Sequence, residues 1–147
     1  MIDRKFIGYR TPSFEVEVEK GRLRLFAKAI GETDPIYNDE TAAKAAGYSS
    51  LPVPPTFFFC LEMERADPYD WFRDLDLPLG HVLHGTQAFT YHRTACAGDV
   101  LTIDGEVTDI YDKKGGALEF IVQKNRVRNA AGEPVAEFDR TVVVRRG

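Results

Sequence analysis

Residues 25–58 read LFAKAIGETDPIYNDETAAKAAGYSSLPVPPTFF. Around its start, Leu23, Phe26, Ala27 and Ile30 recur at offsets of three and four, which predicts a helix over 22–30 with one apolar face. Gly31 follows the last apolar position and ends it. Glu32, Thr33, Asp34 and Pro35 then make a polar loop that no core absorbs unpaired. Asn38 or Asp39 is placed to cap a small helix over 40–46, which Gly47 closes. Pro52, Pro54 and Pro55 hold the next segment extended, and Pro55 suits the first turn of a third helix running from Thr56 toward Arg65. The opening of that helix, FFFCLEM at 57–63, is apolar nearly all round, as in a helix wrapped by other elements.

Outside this stretch the patterning is that of strands. FEVEVEK at 14–20 alternates strictly, with Phe14, Val16 and Val18 on one face. The segment 66–80 is acidic, aromatic and broken by Pro68 and Pro78; it reads as a loop with a short helix near 69–75, and Trp71 and Phe72 fold onto the domain or onto a partner. Strands are expected over 83–94, 100–111, 117–129 and 135–146, with Gly105 at a bulge and tight turns at 97–99, 112–116 and 131–134. The last three strands form an antiparallel meander. A strand, then helices, then antiparallel strands argue an α+β fold, and 147 residues suit one domain spanning 1–147.

Composition narrows the functional class. At 44% hydrophobic the chain can bury a sizeable core. A net charge of −4 argues against nucleic acid as a partner. No apolar run approaches the ~18 residues of a membrane span, and the start MIDRKFIGYR lacks a signal-peptide core. Cys60 and Cys96 are too few and too separated for a disulfide framework or a zinc site, and plain thiols fit the cytoplasm.

The loop and its flanks resemble the MaoC-like dehydratases, the family of (R)-specific enoyl-thioester hydratases and 3-hydroxyacyl-thioester dehydratases. Gly31, Pro35, Ile36, Asp39, the alanine-rich helix over 42–46 and Gly47-Tyr48 match the family's motif. So do the runs LHGTQ at 83–87, YHR at 91–93 and AGD at 97–99. The resemblance covers nearly the whole chain. It implies a hot-dog fold, in which a curved antiparallel sheet wraps a central, mainly apolar helix. It also implies an acyl-thioester substrate carried on coenzyme A or acyl carrier protein. No separate cofactor or metal is implied.

Three positions depart from the family's pattern. Glu32 stands where a catalytic Asp is expected, Asp34 where an Asn is, and Tyr37 where a catalytic His is. Hydration of an enoyl thioester needs a group that deprotonates water and a proton delivered to the neighbouring carbon, which an Asp/His pair supplies near neutral pH. Tyrosine, with a pKa of about 10, exchanges protons poorly there. A carboxylate misplaced by about 1 Å can cost ~100-fold. The family's His-Gly pair at the start of the central helix supplies an oxyanion N–H. Here the corresponding run is Leu51-Pro52-Val53-Pro54-Pro55-Thr56, and proline has no N–H to give.

The expectation is therefore a non-catalytic subunit that pairs with a catalytic hot-dog partner. The alternatives are an active hydratase with rearranged acid/base residues, or a homodimer that binds acyl thioesters or acts as a thioesterase. Whether the chain is an enzyme by itself stays open. The candidate catalytic residues are Glu32, Asp34, Tyr37 and His84; the candidate substrate-binding residues are Tyr37, Pro55, Thr56, Phe57 and Gly85. Each has a plainer reading: turn formation for Glu32 and Asp34, packing for Tyr37 and Phe57, ordering of a strand start for His84. Arg22 and Arg24 either meet phosphates or are solvated.

Overall fold

The computed structural model describes residues 1–146. Five strands form a single antiparallel sheet: β1 (Arg10–Glu17), β2 (Val82–Tyr91), β3 (Val100–Lys113), β4 (Leu118–Arg128) and β5 (Pro134–Arg145), in the order β1-β3-β4-β5-β2. Between β1 and β2 lie α1 (Lys20–Ala29), α2 (Glu40–Ala45), α3 (Phe57–Glu62) and α4 (Asp70–Asp74). The meander β3-β4-β5 follows from the alternation of its residues: on β4, Ile121, Gln123, Asn125 and Val127 all point inward and are buried. This is the hot-dog arrangement, with α3 held against the inner face of the sheet.

Two apolar clusters make up the core. One gathers Phe57, Phe58 and Leu61 of α3 against Leu101, Ile103, Val127 and Phe138 of the sheet. The other gathers Trp71 and Phe72 of α4 with Ile2, Ile110, Ile121 and Val144. Trp71 and Phe72 thus fold onto their own domain. Truncating a fully buried ring such as Phe57 to Ala costs about 3–5 kcal/mol.

Several boundaries differ from the sequence reading. β1 runs earlier than 14–20, because α1 already begins at Lys20. Phe14 is half-buried under the Arg65 guanidinium, 5.3 Å from its ring, so only Val16 and Val18 are fully inward. Ile30 is exposed, because it is the C-cap of α1 and has left the helical face that buries Leu23 and Ala27. α3 stops at Glu62 rather than continuing to Arg65, where the chain turns toward Asp67-Pro68. Gly105 is in regular register with Asn125 of β4 but borders the register break of β1, where Thr11 pairs with Gly105 and Phe14 with Ile103; a second irregularity in β3 lies between Val107 and Asp109. What Gly105 permits is close approach: a Cβ there would stand 2.7 Å from Asn125 Oδ1 and 2.7 Å from Gln123 Nε2.

Candidate functional site

Two helix ends position the polar loop. Gly31, at φ +72°, lets the Glu32 N–H bond Ala27 C=O at 2.9 Å and its own N–H bond Lys28 C=O at 3.2 Å. Gly47, at φ +97°, does the same for α2: Tyr48 N–H reaches Ala43 C=O at 3.0 Å and Gly47 N–H reaches Lys44 C=O at 3.0 Å. Both are left-handed closures that satisfy the last carbonyls of a helix. Asp39 caps α2 through Thr41 N–H at 2.8 Å. Glu40 ties the helices together, accepting from Lys20 at 2.5 Å and Ser50 at 3.1 Å. With Lys44 added, these bonds hold its carboxyl down at about 2.

Within the loop, both candidate carboxylates serve the backbone. Glu32 Oε1 accepts from Thr33 N–H at 2.8 Å and Asp34 N–H at 2.9 Å. Asp34 Oδ1 accepts from Ile36 N–H at 3.1 Å and caps the single turn Pro35–Tyr37. Tyr37 ends that turn half-buried. Its phenol is pushed above the usual value, first by burial and then by the nearby Glu32, Tyr48 and Asp34. It therefore keeps its proton at neutral pH.

The proline run lies beside this loop. Val53 N–H bonds Ala95 C=O at 2.8 Å and Ala97 N–H bonds Leu51 C=O at 2.8 Å, so residues 51–53 run antiparallel along 95–97. Phe57 N–H is taken by Pro54 C=O at 2.9 Å. Pro54 and Pro55 have no N–H to offer beside it.

Two cavities flank the start of α3, and they divide the candidate residues. The smaller, about 300 Å³, is lined by Tyr37, Tyr48, Pro55, Tyr91 and Arg93 among others. The larger, about 840 Å³, lies between α3 and the inner faces of β2 and β5; Thr56, Phe59, His84 and Gln87 face it, and Phe72 of α4 also lines it. Its walls are largely apolar, and Leu79, Leu83 and Tyr69 leave its mouth exposed. Tyr37 and Pro55 therefore sit in one cavity and Thr56 and His84 in the other, while Glu32 and Asp34 line neither. His84 packs edge-on against Phe59, 5.6 Å between centroids, with no carboxylate beside it among the described residues. Phe57 is buried in the core against Phe26, at 5.0 Å. Gly85 marks a register break in β2, and a Cβ there would meet Thr141 C=O at 2.9 Å. Arg22 pairs with Glu64 at 2.9 Å and Arg24 donates to Asn38 C=O at 3.0 Å.

One feature of the larger cavity escaped the sequence reading. Arg140, on β5, lies under α3 and reaches Glu62 with both terminal nitrogens, at 3.1 and 3.3 Å, and Gln123 Oε1 through Nε at 2.7 Å. Burial pushes the Glu62 carboxyl up and the Arg140 guanidinium down, and each charge pulls the other back toward its ionised form. The guanidinium is also stacked over Trp71 at 5.2 Å. The signal was present in the alternation of β5, which puts Arg140 on the same face as Phe138 and Val142.

The dehydratase domain region of the FAS1-like family matches residues 5–138. The chain belongs to this MaoC-like dehydratase family. A UPF0336 protein of Saccharopolyspora erythraea is 38% identical over 98% of this chain and 92% of its own length. Among solved structures, the HadBC (3R-hydroxyacyl-ACP dehydratase) complex of Mycobacterium tuberculosis contains a chain 28% identical, with a TM-score of 0.78 over 93% of this chain and 96% of that one. The ChsH1-ChsH2 complex of the same organism contains one at 25% identity and TM-score 0.72, covering 94% of this chain and 89% of that one. Among the described residues no helix is long and apolar enough to cross a membrane, and no three metal-ligating side chains cluster.

Proposed function

We propose that this MaoC-like chain is the non-catalytic subunit of a heteromeric 3-hydroxyacyl-thioester dehydratase, and that it houses the acyl chain of a substrate processed by its partner. The observation that carries this reading is the loop: Glu32 and Asp34 are committed to backbone N–H groups and Tyr37 remains a protonated phenol. The loop from Gly31 to Asp39 holds no histidine, the side chain that ordinarily exchanges protons near pH 7. The large apolar cavity remains open, as a binding role needs. Two of the similar structures are themselves two-component complexes.

The sheet's two edges support β2 as the docking strand. β1 carries Pro12, a register break and alternating charges, all of which discourage pairing. β2 has ten residues with no proline and no lysine. Leu83 belongs both to β2 and to the rim of the cavity, so a hot-dog partner on this edge would also roof the cavity mouth.

The test is hydration of crotonyl-CoA, followed by loss of enoyl absorbance, with the purified chain alone and with whatever second hot-dog chain co-purifies from the native host. The expected result is no turnover alone and turnover in the complex. A rate of about 1–1000 s⁻¹ from the chain alone overturns the reading. Saturable acyl-CoA binding by a stable homodimer, with no second chain recovered, replaces it with a binding protein.

A further inference from the structure

A cavity built only for an alkyl chain has no use for hydrogen-bonding groups in its wall, yet the larger cavity has them. Gln87 lines it from β2, directly opposite Arg140 of β5 in the strand register. Both its amide nitrogen and its amide oxygen are shielded from solvent and have no hydrogen-bond partner. An orphaned buried amide has given up its water without replacement, so such groups are normally paired. Arg140 does not relieve the oxygen: three of its N–H groups go to Gln123 and Glu62, and none reaches Gln87.

The charge at this point is balanced. Arg140 is matched by Glu62 at 3.1 Å, and its remaining faces lie over Trp71 and Phe59. A carboxylate arriving beside Gln87 would find no uncompensated cation and would pay the desolvation of a charge. A neutral oxygen function would not. An amide offers one acceptor and two donors, and a hydroxyl, which both donates and accepts, can satisfy the two orphaned atoms at once. A ketone can satisfy the nitrogen.

The polar spot is also not an accident of one side chain. Gln123 Nε2 and both amide atoms of Asn125, further along the inner face of β4, are buried without partners as well. Together with Thr11, whose hydroxyl accepts the Gly105 N–H at 2.9 Å, these groups form a polar seam crossing the core between its two apolar clusters. Gln87 is the end of that seam that reaches the cavity.

We infer that the cavity is selective for acyl chains carrying a neutral oxygen substituent part-way along the chain, a hydroxyl foremost, with the Gln87 amide as the recognising group. This rests on the reading of the cavity as an acyl site. A rotation about the side-chain torsions of Gln87 turns the amide from the wall toward the chain. It is a specificity-determining contact and takes no part in the dehydration itself.

The experiment is calorimetric titration of the assembled protein with dodecanoyl-CoA and with a set of monohydroxydodecanoyl-CoA isomers in which the hydroxyl is walked along the chain beyond the third carbon. One or two adjacent isomers are expected to bind about five- to tenfold more tightly than the plain chain. Gln87→Leu, nearly isosteric, is expected to bring the hydroxylated chains to the affinity of the plain one, with thermal melting of the variant verifying that it is folded. Equal affinity for all isomers, or a preference that survives Gln87→Leu, overturns the inference and leaves the acyl site standing. Binding of neither plain nor hydroxylated chains overturns both.

Discussion

Glu62 and Arg140 carry the sharpest energetic consequence of any two residues. Both are essentially buried, and their mutual bonds offset a desolvation that neither could bear alone. Arg140→Met is expected to lower unfolding free energy by about 3–5 kcal/mol, because it strands the Glu62 carboxylate under α3. The double variant with Glu62→Leu removes both charges and is expected to recover most of that loss. Denaturant unfolding of the two single variants and the double checks this; equal losses in single and double variants would mean that packing, not the ion pair, dominates. At this scale the sequence was legible where chemistry is local. The Asp39 cap and the turn roles of Glu32 and Asp34 follow from neighbours one or two residues away. The Glu62–Arg140 pair was not legible, because its partners are 78 residues apart and meet only through the register of β5 beneath α3.

Among the elements, β2 is the exposed risk and the opportunity. It is an edge strand with unpaired backbone on its outer side and a half-open cavity behind it. Replacing Thr86 and Ala88, both exposed, with lysine is expected to weaken the assembled dehydratase without lowering the melting temperature of the chain. Sedimentation of the complex together with thermal melting of the isolated subunit separates the two effects, and an unchanged assembly would remove β2 as the docking strand. The strands themselves were readable from period-two alternation, and α2 from its caps. The length of α3 was not: FFFCLEMER is helical in propensity to Arg65, but the buried Glu62 fixes the rotation of the helix and the turn toward Asp67-Pro68 ends it. The two cavities were also invisible in the sequence, since each is lined from at least three separated segments.

Across the whole molecule, the N-terminal segment is fastened to the last strand through one carboxylate. Glu119 accepts the Ile2 N–H and the Arg146 guanidinium, each at 2.5 Å. Burial works to raise its pKa, but these bonds outweigh it and hold the group below its ordinary value of 4.5. A depressed carboxylate contributes stability that is present above the unfolded pKa and is lost as pH falls through the folded one. Melting temperature is therefore expected to fall with acidification from about pH 4.5 downward in the wild type. Glu119→Gln, less stable at neutral pH, is expected to show a shallower fall over the same window. Parallel slopes in the two proteins would assign acid sensitivity elsewhere.

The single tryptophan gives the molecule a spectroscopic handle that no other residue could supply. Trp71 is wholly excluded from water, its ring lies 4.3 Å from that of Phe72, and the Arg140 guanidinium stands 5.2 Å over it. Phe72 lines the large cavity, and Arg140 lines it too. The indole is thus in contact with two of the cavity's wall residues while touching no ligand itself. Its emission reports, without any attached dye, on what fills the space between α3 and β2.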